Sequence, residues 1–327
     1  MRPVAIVPLA GAGTRLKPHT LTTPKALLSV AGKPILGHIL DQLKSADPER
    51  VVLIVAPGPF GDRIRRYAQE RGDHRIECVT QMEPLGLGHA VAQAKEAAGS
   101  APLLIVLGDT IVRASIADIA RAGSMVGVRE VDDPRRFGVA TVRDGKIVAL
   151  VEKPERPESR WALVGLYYLA NGRALFECLD ELFRSGQRTR GEMQLTDALQ
   201  MLIDRGEELR PFPVEGWYDC GKLETLLETN RALLDRLAVP VSREGVVILP
   251  PVILDPTADV AESVLGPHVS IGPRARVRRA VVKNSIINEG AIVEDILLDG
   301  SVVGENAVVR GPYFRLNVGE SSEVEHS

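Results

Sequence analysis

The last part of the chain repeats itself every sixteen residues. Segments 271–277, 287–293 and 303–309 align with aliphatic residues six positions apart in each copy, and Leu254 and Val260 give an earlier copy at a spacing of seventeen. Hexapeptide aliphatic repeats are typical of a parallel β-helix, in which each coil buries its aliphatic side chains against the next. The repeats predict about four coils. A small β-sandwich is the alternative, although its strands would alternate with a period of two.

The residues before this repeat have a different pattern, in which short β-rich runs alternate with segments of helical period. Such alternation builds a parallel or mixed sheet covered by helices. Closely spaced runs between Gly127 and Asn171 are expected to add antiparallel strands. The prediction is an α/β chain with a doubly wound, Rossmann-like mixed sheet in residues 1–237 and a short parallel β-helix in residues 238–327. Predicted helices cover 35–45, 64–69 and 88–98, and predicted strands cover 4–9, 51–55, 75–79, 103–107, 139–142, 147–151 and 163–170.

The composition disfavours nucleic acid and membranes as partners. Forty Lys and Arg against forty-three Asp and Glu leave a net charge of −3, which gives no overall attraction to a polyanion. The apolar run at 4–12 is far shorter than the ~20 residues of a membrane span, and no signal peptide is expected. Cys78, Cys178 and Cys220 are odd in number and far apart, so they predict neither a disulfide framework nor a Cys-x-x-Cys metal site. A reducing cytoplasm is the expected location.

A glycine loop, AGAGTRL at 10–16, follows the first predicted strand, and Pro24-Lys25 comes shortly after it. The loop is not a P-loop, because Lys17 is not preceded by glycine, and it lacks the dinucleotide-binding motif, because Leu16 stands where a third glycine is required. Its glycines still allow backbone N–H groups to approach an anion, and Arg15 and Lys25 add two cations. The loop predicts a polyphosphate-binding site, and a purely structural turn is the alternative.

Two isolated aspartates are candidates for a divalent cation. Asp109 follows an apolar strand at its carboxyl end, the edge at which open α/β sheets bind ligands, and Asp219 lies between Tyr218 and Cys220. Mg²⁺ prefers one or two carboxylates plus substrate oxygens, so two such aspartates suit it. A helix or turn cap is the alternative for an aspartate after a strand.

Together these motifs resemble the sugar-1-phosphate nucleotidyltransferase family, whose signature is Gly-x-Gly-Thr-Arg-Leu, a short spacer and Pro-Lys. The tail at 314–320 is similar to the β-helical end of the long-form glucose-1-phosphate thymidylyltransferase branch, and the resemblance implies that the β-helix is left-handed. Six further motifs resemble those of the family in the same order: 81–88 (QMEPLGLG), 107–109 (LGD), 152–154 (EKP), 165–167 (GLY), 190–192 (RGE) and 217–221 (WYDCG).

The resemblance implies attack by a sugar-1-phosphate oxygen on the α-phosphorus of a nucleoside triphosphate, in line with departing pyrophosphate. It implies catalytic roles for Arg15, Lys25, Asp109 and Asp219, with both aspartates holding Mg²⁺. The implied nucleotide-binding residues are Leu9, Ala10, Gly11, Gly13, Thr14, Gln81, Pro84, Gly86 and Gly108, and the implied sugar-phosphate-binding residues are Gly138, Glu152, Lys153, Gly165 and Arg190.

The run GLGHAV at 86–91 is more similar to thymidylyl- and uridylyltransferases than to guanylyltransferases. The expected substrates are therefore glucose-1-phosphate and dTTP or UTP, with mannose-1-phosphate guanylyltransferase activity as the alternative. Two departures from the family are Thr110, where Asn is frequent in the thymidylyl branch, and Pro8, which is expected to end the first strand early. His89 is expected to pack or cap a helix, and Cys220 to be a small core residue.

Two other functions fit the resemblance less well. A non-catalytic regulator that senses nucleotide sugars would have lost Arg15, Lys25, Asp109 or Asp219, and all four are present. An acyltransferase built on the repeats, with His268 as its base, would need a longer stack of coils. The chain is expected to act on small molecules as a homo-oligomer, with no nucleic acid or membrane partner, and the β-helix to serve oligomerisation or regulation.

Overall fold

The computed structural model describes residues 1–119, 123–237 and 241–311, so the tail motif at 314–320 lies outside the described residues. The chain forms two compact units. One comprises Met1–Leu28 and Lys33–Thr229, and the other comprises Ser29–Gly32 and the described residues from Asn230 onward. The boundary between residues 237 and 238 stays a prediction. Within the described ranges, no helix is both long and apolar enough to span a bilayer.

The secondary structure alternates strands and helices up to residue 234 and consists of short strands beyond it. The α-helices are α1 (Ile35–Leu43), α2 (Pro59–Glu70), α3 (Leu87–Ala92), α4 (Lys95–Ala98), α5 (Ile116–Ile119), α6 (Gly172–Ser185), α7 (Leu195–Asp204) and α8 (Leu223–Leu234), and short 3₁₀ helices cover Thr14–Leu16, His19–Leu21, Lys25–Leu27, Lys44–Ala46 and Pro134–Arg136. The strands are β1 (Val4–Pro8), β2 (Ser29–Val30), β3 (Lys33–Pro34), β4 (Arg50–Val55), β5 (Ile76–Thr80), β6 (Leu103–Val106), β7 (Thr110–Arg113), β8 (Met125–Glu130), β9 (Gly138–Arg143), β10 (Lys146–Glu152), β11 (Trp161–Leu169), β12 (Arg210–Pro213), β13 (Gly216–Asp219), β14 (Val246–Ile248), β15 (Val252–Leu254), β16 (Asp259–Ala261), β17 (Ser263–Leu265), β18 (Val269–Ile271), β19 (Arg276–Arg278), β20 (Val281–Lys283), β21 (Ile286–Ile287), β22 (Ile292–Glu294), β23 (Leu297–Asp299), β24 (Val302–Val303) and β25 (Val308–Arg310).

A mixed sheet forms the centre of the first unit. Its middle strands β6, β1, β4 and β5 are parallel neighbours in that order, and β11 continues the sheet antiparallel to β6. The parallel strands are nearly continuous apolar runs because both of their faces are covered, and Ile6, Ile54 and Ile105 are fully buried. β9 and β10 add the predicted antiparallel strands. Strand β1 ends at Pro8, as expected. The doubly wound mixed sheet is confirmed.

The helix predicted over 88–98 is wrong as a single element, because the chain forms the two short helices α3 and α4. Between them Gln93 N donates to Ala90 O and Ala94 N donates to Val91 O, which are the tighter bonds of a 3₁₀ turn. The Gln93 side chain also donates to the His89 carbonyl at 3.2 Å, and so satisfies a backbone acceptor near the break.

The repeats form a parallel β-helix in the second unit. Within residues 241–311 its three sheets have four strands each, and residues one repeat apart lie opposite each other, as Leu254, Ile271, Ile287 and Val303 do in one sheet. These stacked aliphatic side chains are largely shielded from solvent and belong to one hydrophobic cluster. The register reproduces the spacings of seventeen and then sixteen seen in the sequence. The predicted β-helix is confirmed.

Candidate active site

Asp109 and Asp219 meet through the pairing of β7 with β13. The two strands are antiparallel, with Asp219 opposite Thr110, and the Cys220 N–H donates to the Asp109 carbonyl oxygen at 2.9 Å. Because Asp109 follows β6, this pairing brings Asp219 to the carboxyl end of the central parallel strands. The structure therefore brings the two predicted metal-binding carboxylates together.

Two cations share this site. Lys25 Nζ donates to Asp109 Oδ2 at 2.6 Å, and the Lys25 side chain is only 13% exposed. A Cβ added to Gly221 would lie 2.9 Å from Asp219 Oδ1 and 3.2 Å from Arg15 Nη2. Asp219 and Arg15 therefore lie close to each other beside Gly221. All four predicted catalytic side chains therefore lie in one place.

The electrostatics of Asp219 suit a cation. Burial raises its pKa first, and the negative charge of Asp109 raises it further, whereas Lys25 and Arg15 lower it. A bound divalent cation would offset both unfavourable effects on the ionised carboxyl. Within the described ranges, no group of three or more His, Cys, Asp or Glu side chains is arranged to hold a metal. An ion here would take two carboxylates and complete its shell with water or substrate oxygens, which fits the chemistry of Mg²⁺.

The glycine loop packs directly against Lys25. Gly13 has a φ of 60°, and a Cβ there would lie 3.0 Å from Thr20 Cγ2 and 3.2 Å from Lys25 Cβ. Thr20, itself buried, donates its hydroxyl hydrogen to the Gly13 carbonyl at 2.8 Å. Glycine at position 13 is therefore required both by backbone conformation and by close packing.

A cavity of about 510 Å³ opens above this loop. All nine predicted nucleotide-binding residues line it, together with Arg15, Lys25 and Asp109. At Gly86 the wall of the cavity is held by close backbone packing. An added Cβ at Gly86 would lie 2.6 Å from the Met193 carbonyl oxygen, so glycine is needed there because the Met193 backbone packs against it.

The predicted sugar-phosphate residues form a second cluster. Lys153 Nζ lies 3.0 Å from Glu152 Oε1, and one Arg190 Nη donates to the Lys153 carbonyl at 2.8 Å. Arg190 stands on a tight turn that is closed by a β-bridge between Thr189 and Glu192. The structure therefore brings Glu152, Lys153 and Arg190 together, with Arg190 exposed.

Two glycines and a tyrosine link this cluster to the aspartates. Gly138 lies opposite Glu152 in the pairing of β9 with β10, and the Gly165 carbonyl accepts from the Leu107 N–H at 2.9 Å. Burial raises the pKa of Tyr167, and the charges of Glu152 and Asp109 raise it further, so both carboxylates lie within electrostatic reach of one phenol. Glu192, next to the Arg190 turn, lines the nucleotide cavity. The two clusters therefore adjoin.

The sequence patterns missed three supporting residues. Thr196 donates to Glu152 Oε2 at 2.7 Å, and Thr20 holds Gly13 as described. Arg63 on α2 donates to the Thr22 carbonyl at 2.8 Å and to Thr23 Oγ1 at 3.1 Å, just before Lys25. The contact to Thr22 joins residues 41 apart, and no motif marks it. Thr20, between the glycine loop and Pro24-Lys25, and Thr196, six residues after Arg190, stood close enough to recognised motifs to be suspected.

Cys220 and His89, to which the sequence analysis assigned no catalytic role, lie near the site. Cys220 is fully buried, and burial raises its pKa to about 12, as expected for a core residue rather than a thiolate. His89 stacks on Phe183 with ring centroids 6.0 Å apart, as the packing prediction requires, but it also contacts Gln81.

The chain is similar to several known proteins. The chain is 31% identical to the low-salt glycan biosynthesis nucleotidyltransferase Agl11 of Haloferax volcanii, over 96% of this chain and 97% of that protein. It is 32% identical to a glucose-1-phosphate thymidylyltransferase of Streptomyces antibioticus, over 98% and 99% of the two chains. A solved UDP-glucose pyrophosphorylase complexed with UDP-glucose shares the fold, with a TM-score of 0.62 and 24% identity over 72% of this chain and all of that one. Residues 4–236 match the family model described as nucleotidyl transferase, and the chain therefore belongs to that family.

Proposed function

We propose that this protein is a sugar-1-phosphate nucleotidyltransferase that converts glucose-1-phosphate and dTTP, or UTP, into a nucleotide sugar and pyrophosphate, with Mg²⁺ as its metal. The observation that carries the proposal is the convergence of Arg15, Lys25 and Asp109 on one cavity that a glycine loop lines, with Asp219 and Arg15 together beside Gly221 at its edge. The name of the Streptomyces antibioticus relative supports the choice of substrates.

The cations stabilise charge on the triphosphate. Lys25, whose Nζ already reaches the Asp109 carboxylate, neutralises the α-phosphate as its pentacoordinate centre forms, and the more exposed Arg15 meets the β- and γ-phosphates as negative charge grows on pyrophosphate. A divalent cation, which enzymes of this family generally use, would be held by Asp109 and Asp219 and would supply further charge neutralisation at the phosphates.

The second cluster orients the nucleophile. Lys153 and Arg190 bind the phosphate of glucose-1-phosphate, and Glu152 accepts hydrogen bonds from its hydroxyl groups. One phosphate oxygen forms a bond to the α-phosphorus, while the bond to the bridging oxygen breaks and its electron pair leaves with pyrophosphate. Because a phosphate monoester is largely ionised at neutral pH, no general base has to remove a proton. The mechanism therefore needs no contribution from the thiol of Cys220, whose pKa burial raises.

A pyrophosphate-release assay with Mg²⁺ tests the proposal. We expect turnover with glucose-1-phosphate and dTTP or UTP, and its loss in Asp109→Asn, because one carboxylate of the pair is removed. Asp118→Asn, which changes an exposed aspartate on α5, is the matched control and should retain activity. Full turnover by Asp109→Asn would remove the metal assignment. The same pyrophosphate-release assay with GTP and mannose-1-phosphate tests the guanylyltransferase alternative.

The proposal includes a cytoplasmic location and a homo-oligomeric state. The three cysteines are free, which agrees with a reducing compartment. Light scattering of the purified protein would measure the number of subunits, and a monomeric mass would remove the homo-oligomer.

A further inference from the structure

The guanidinium group of Arg63 holds the segment that immediately precedes Lys25. Its Nη1 donates to the Thr22 carbonyl oxygen at 2.8 Å and to Thr23 Oγ1 at 3.1 Å. Thr23 is 3% exposed, so the second hydrogen bond is made at a buried hydroxyl group. Hydrogen bonds from a charged donor are roughly twice as strong as those between neutral groups. One arginine therefore fixes a backbone oxygen and a side-chain oxygen within three residues of Lys25.

The helix that carries Arg63 is itself closely packed. A Cβ added to Gly61 would collide with the carbonyl oxygen of Ala56, so the first turn of α2 lies directly against the backbone that follows β4. Ile64, the residue after Arg63, is 1% exposed. Arg63 therefore reaches the Lys25 segment from a part of the fold that has little freedom to move.

Apolar packing alone does not fix the Lys25 segment against α2. A cavity of about 120 Å³ is lined by residues 23–25, by residues 9–12 of the glycine loop, by Ala56, and by Phe60, Gly61 and Ile64. Atoms that border such a void lack contact partners on one side and gain less from dispersion. The two hydrogen bonds of Arg63 therefore carry a large part of the attachment between the segment and the helix.

A shift of this segment would be passed on to Lys25. The segment continues directly into the 3₁₀ turn Lys25–Leu27, in which the Pro24 carbonyl oxygen accepts from the Leu27 N–H at 2.8 Å. Lys25 Nζ in turn lies 2.6 Å from Asp109 Oδ2. A misplacement of about 1 Å that begins far from the reacting atoms can cost about 100-fold in rate.

We propose that Arg63 is a positioning residue, which sets the place of Lys25 and so the point at which the lysine charge meets the α-phosphorus in the transition state. Among the described residues, Arg63 is not one of those that line the nucleotide cavity, so it acts through Lys25 and not on the triphosphate. The inference rests on the proposed function, because it assigns Arg63 to the step that Lys25 serves.

Substitutions at Arg63 should change kcat more than KM. Arg63→Met keeps the apolar stem and removes both hydrogen bonds, so kcat should fall by about tenfold or more, while the KM values for both substrates change by less than about twofold. Arg63→Lys keeps the charge without the planar fork and should lie between wild type and Arg63→Met. Arg66→Met removes an exposed arginine from the same helix and is the control, which should behave as wild type.

A double-mutant cycle separates positioning from general structural damage. If Arg63 acts through Lys25, then Arg63→Met should add little further loss of kcat in a Lys25→Gln background. A further loss there as large as in the wild-type background would overturn the inference. Should the rate of Lys25→Gln be too low to measure, the separate effects of Arg63→Met on kcat and KM decide, together with hydrogen exchange.

Amide hydrogen exchange gives a readout besides activity. In Arg63→Met the amides between residues 22 and 28 should exchange at least about fivefold faster than in wild type, whereas those of the central strands should not change. Unchanged exchange between residues 22 and 28 would overturn the inference. A rise in the nucleotide KM with an unchanged kcat would also overturn it, because Arg63 would then bind the triphosphate directly.

The same measurements distinguish the inference from the proposed function. If Arg63→Met has the activity of wild type, the inference fails and the proposed function stands. If wild type releases no pyrophosphate from any pair of substrates, the proposed function fails, and hydrogen exchange still decides whether Arg63 holds the Lys25 segment. Should Arg63→Met not fold, the kinetics and hydrogen exchange of Arg63→Lys decide in its place.

Discussion

Replacing Gly86 with alanine should damage both stability and nucleotide binding. Gly86 has φ 118° and ψ 177°, a conformation that is essentially restricted to glycine and costs other residues about 1–3 kcal/mol. The added Cβ would also lie 2.6 Å from Met193 O, 2.7 Å from Met193 N and 2.9 Å from Glu192 Cβ. Two of these neighbours are backbone atoms, which cannot turn away as the end of a flexible side chain would.

The clash acts on two hydrogen bonds that join the Gly86 loop to the Arg190 turn. Met193 N donates to Leu85 O at 2.8 Å, and Gly88 N donates to Met193 O at 2.7 Å. Overpacking of this kind costs about 1–3 kcal/mol, so with the backbone strain the free energy of unfolding should fall by about 2–6 kcal/mol. Because the loop carries one wall of the nucleotide cavity, the KM for dTTP or UTP should rise as well.

Urea unfolding and steady-state kinetics would measure the two effects of Gly86→Ala. Gly72→Ala is the matched control, because Gly72 also has a positive φ, 66°, but an added Cβ there would meet no atom within 4 Å. The control should lose about 1–2 kcal/mol, from conformation alone, and keep its KM. Equal losses of stability in the two variants, with an unchanged nucleotide KM for Gly86→Ala, would refute the packing argument.

Two further predictions concern the sugar cluster and a surface ion pair. Lys153→Ala should raise the KM for glucose-1-phosphate by about tenfold or more, because a charge-assisted contact is lost, and should leave the KM for dTTP unchanged; a rise confined to dTTP would contradict the site map. Hydrogen bonds from Arg75 lower the pKa of Asp73, so the stability that Asp73 contributes is present above pH ~4 and is lost as the pH falls through the lowered pKa. Asp73→Asn should therefore lower the free energy of unfolding by about 0.5–1 kcal/mol at pH 7, and this loss should shrink as the pH falls through the lowered pKa; a loss that stays the same throughout an acid titration would count against the pair.

The elements that were predicted well are those whose signal is local. The aliphatic repeat defined its own register, since Ile271, Ile287 and Val303 stack as their spacing required. Likewise, the glycine loop and Asp109 follow apolar strands, and parallel strands bring their carboxyl ends to one edge of a sheet.

Most of the features that were missed depend on contacts between distant segments, and the break in the helix predicted over 88–98 is the local exception. Residues 88–98 have the helical period, but a 3₁₀ turn at Gln93 and Ala94 interrupts the helix. The pairing of Asp219 with Thr110 joins residues that no local pattern connects, and the two aspartates were expected to meet only from their chemistry and the family resemblance. The backbone of Met193 against Gly86 and the Arg63 clamp before Lys25 are equally invisible in a linear pattern. The surroundings of His89 were equally hard to predict, because its neighbours Phe183 and Gln81 come from other parts of the chain.

The most direct test of the central claim is anomalous diffraction from crystals grown with Mn²⁺ and dTTP. If Asp109 and Asp219 share one ion above the glycine loop, a single strong anomalous peak should lie at oxygen-coordination distance, about 2.0–2.3 Å, from a carboxylate oxygen of each and next to the triphosphate. A peak that contacts neither aspartate, with the triphosphate bound outside the cavity that contains Arg15 and Lys25, would contradict the account.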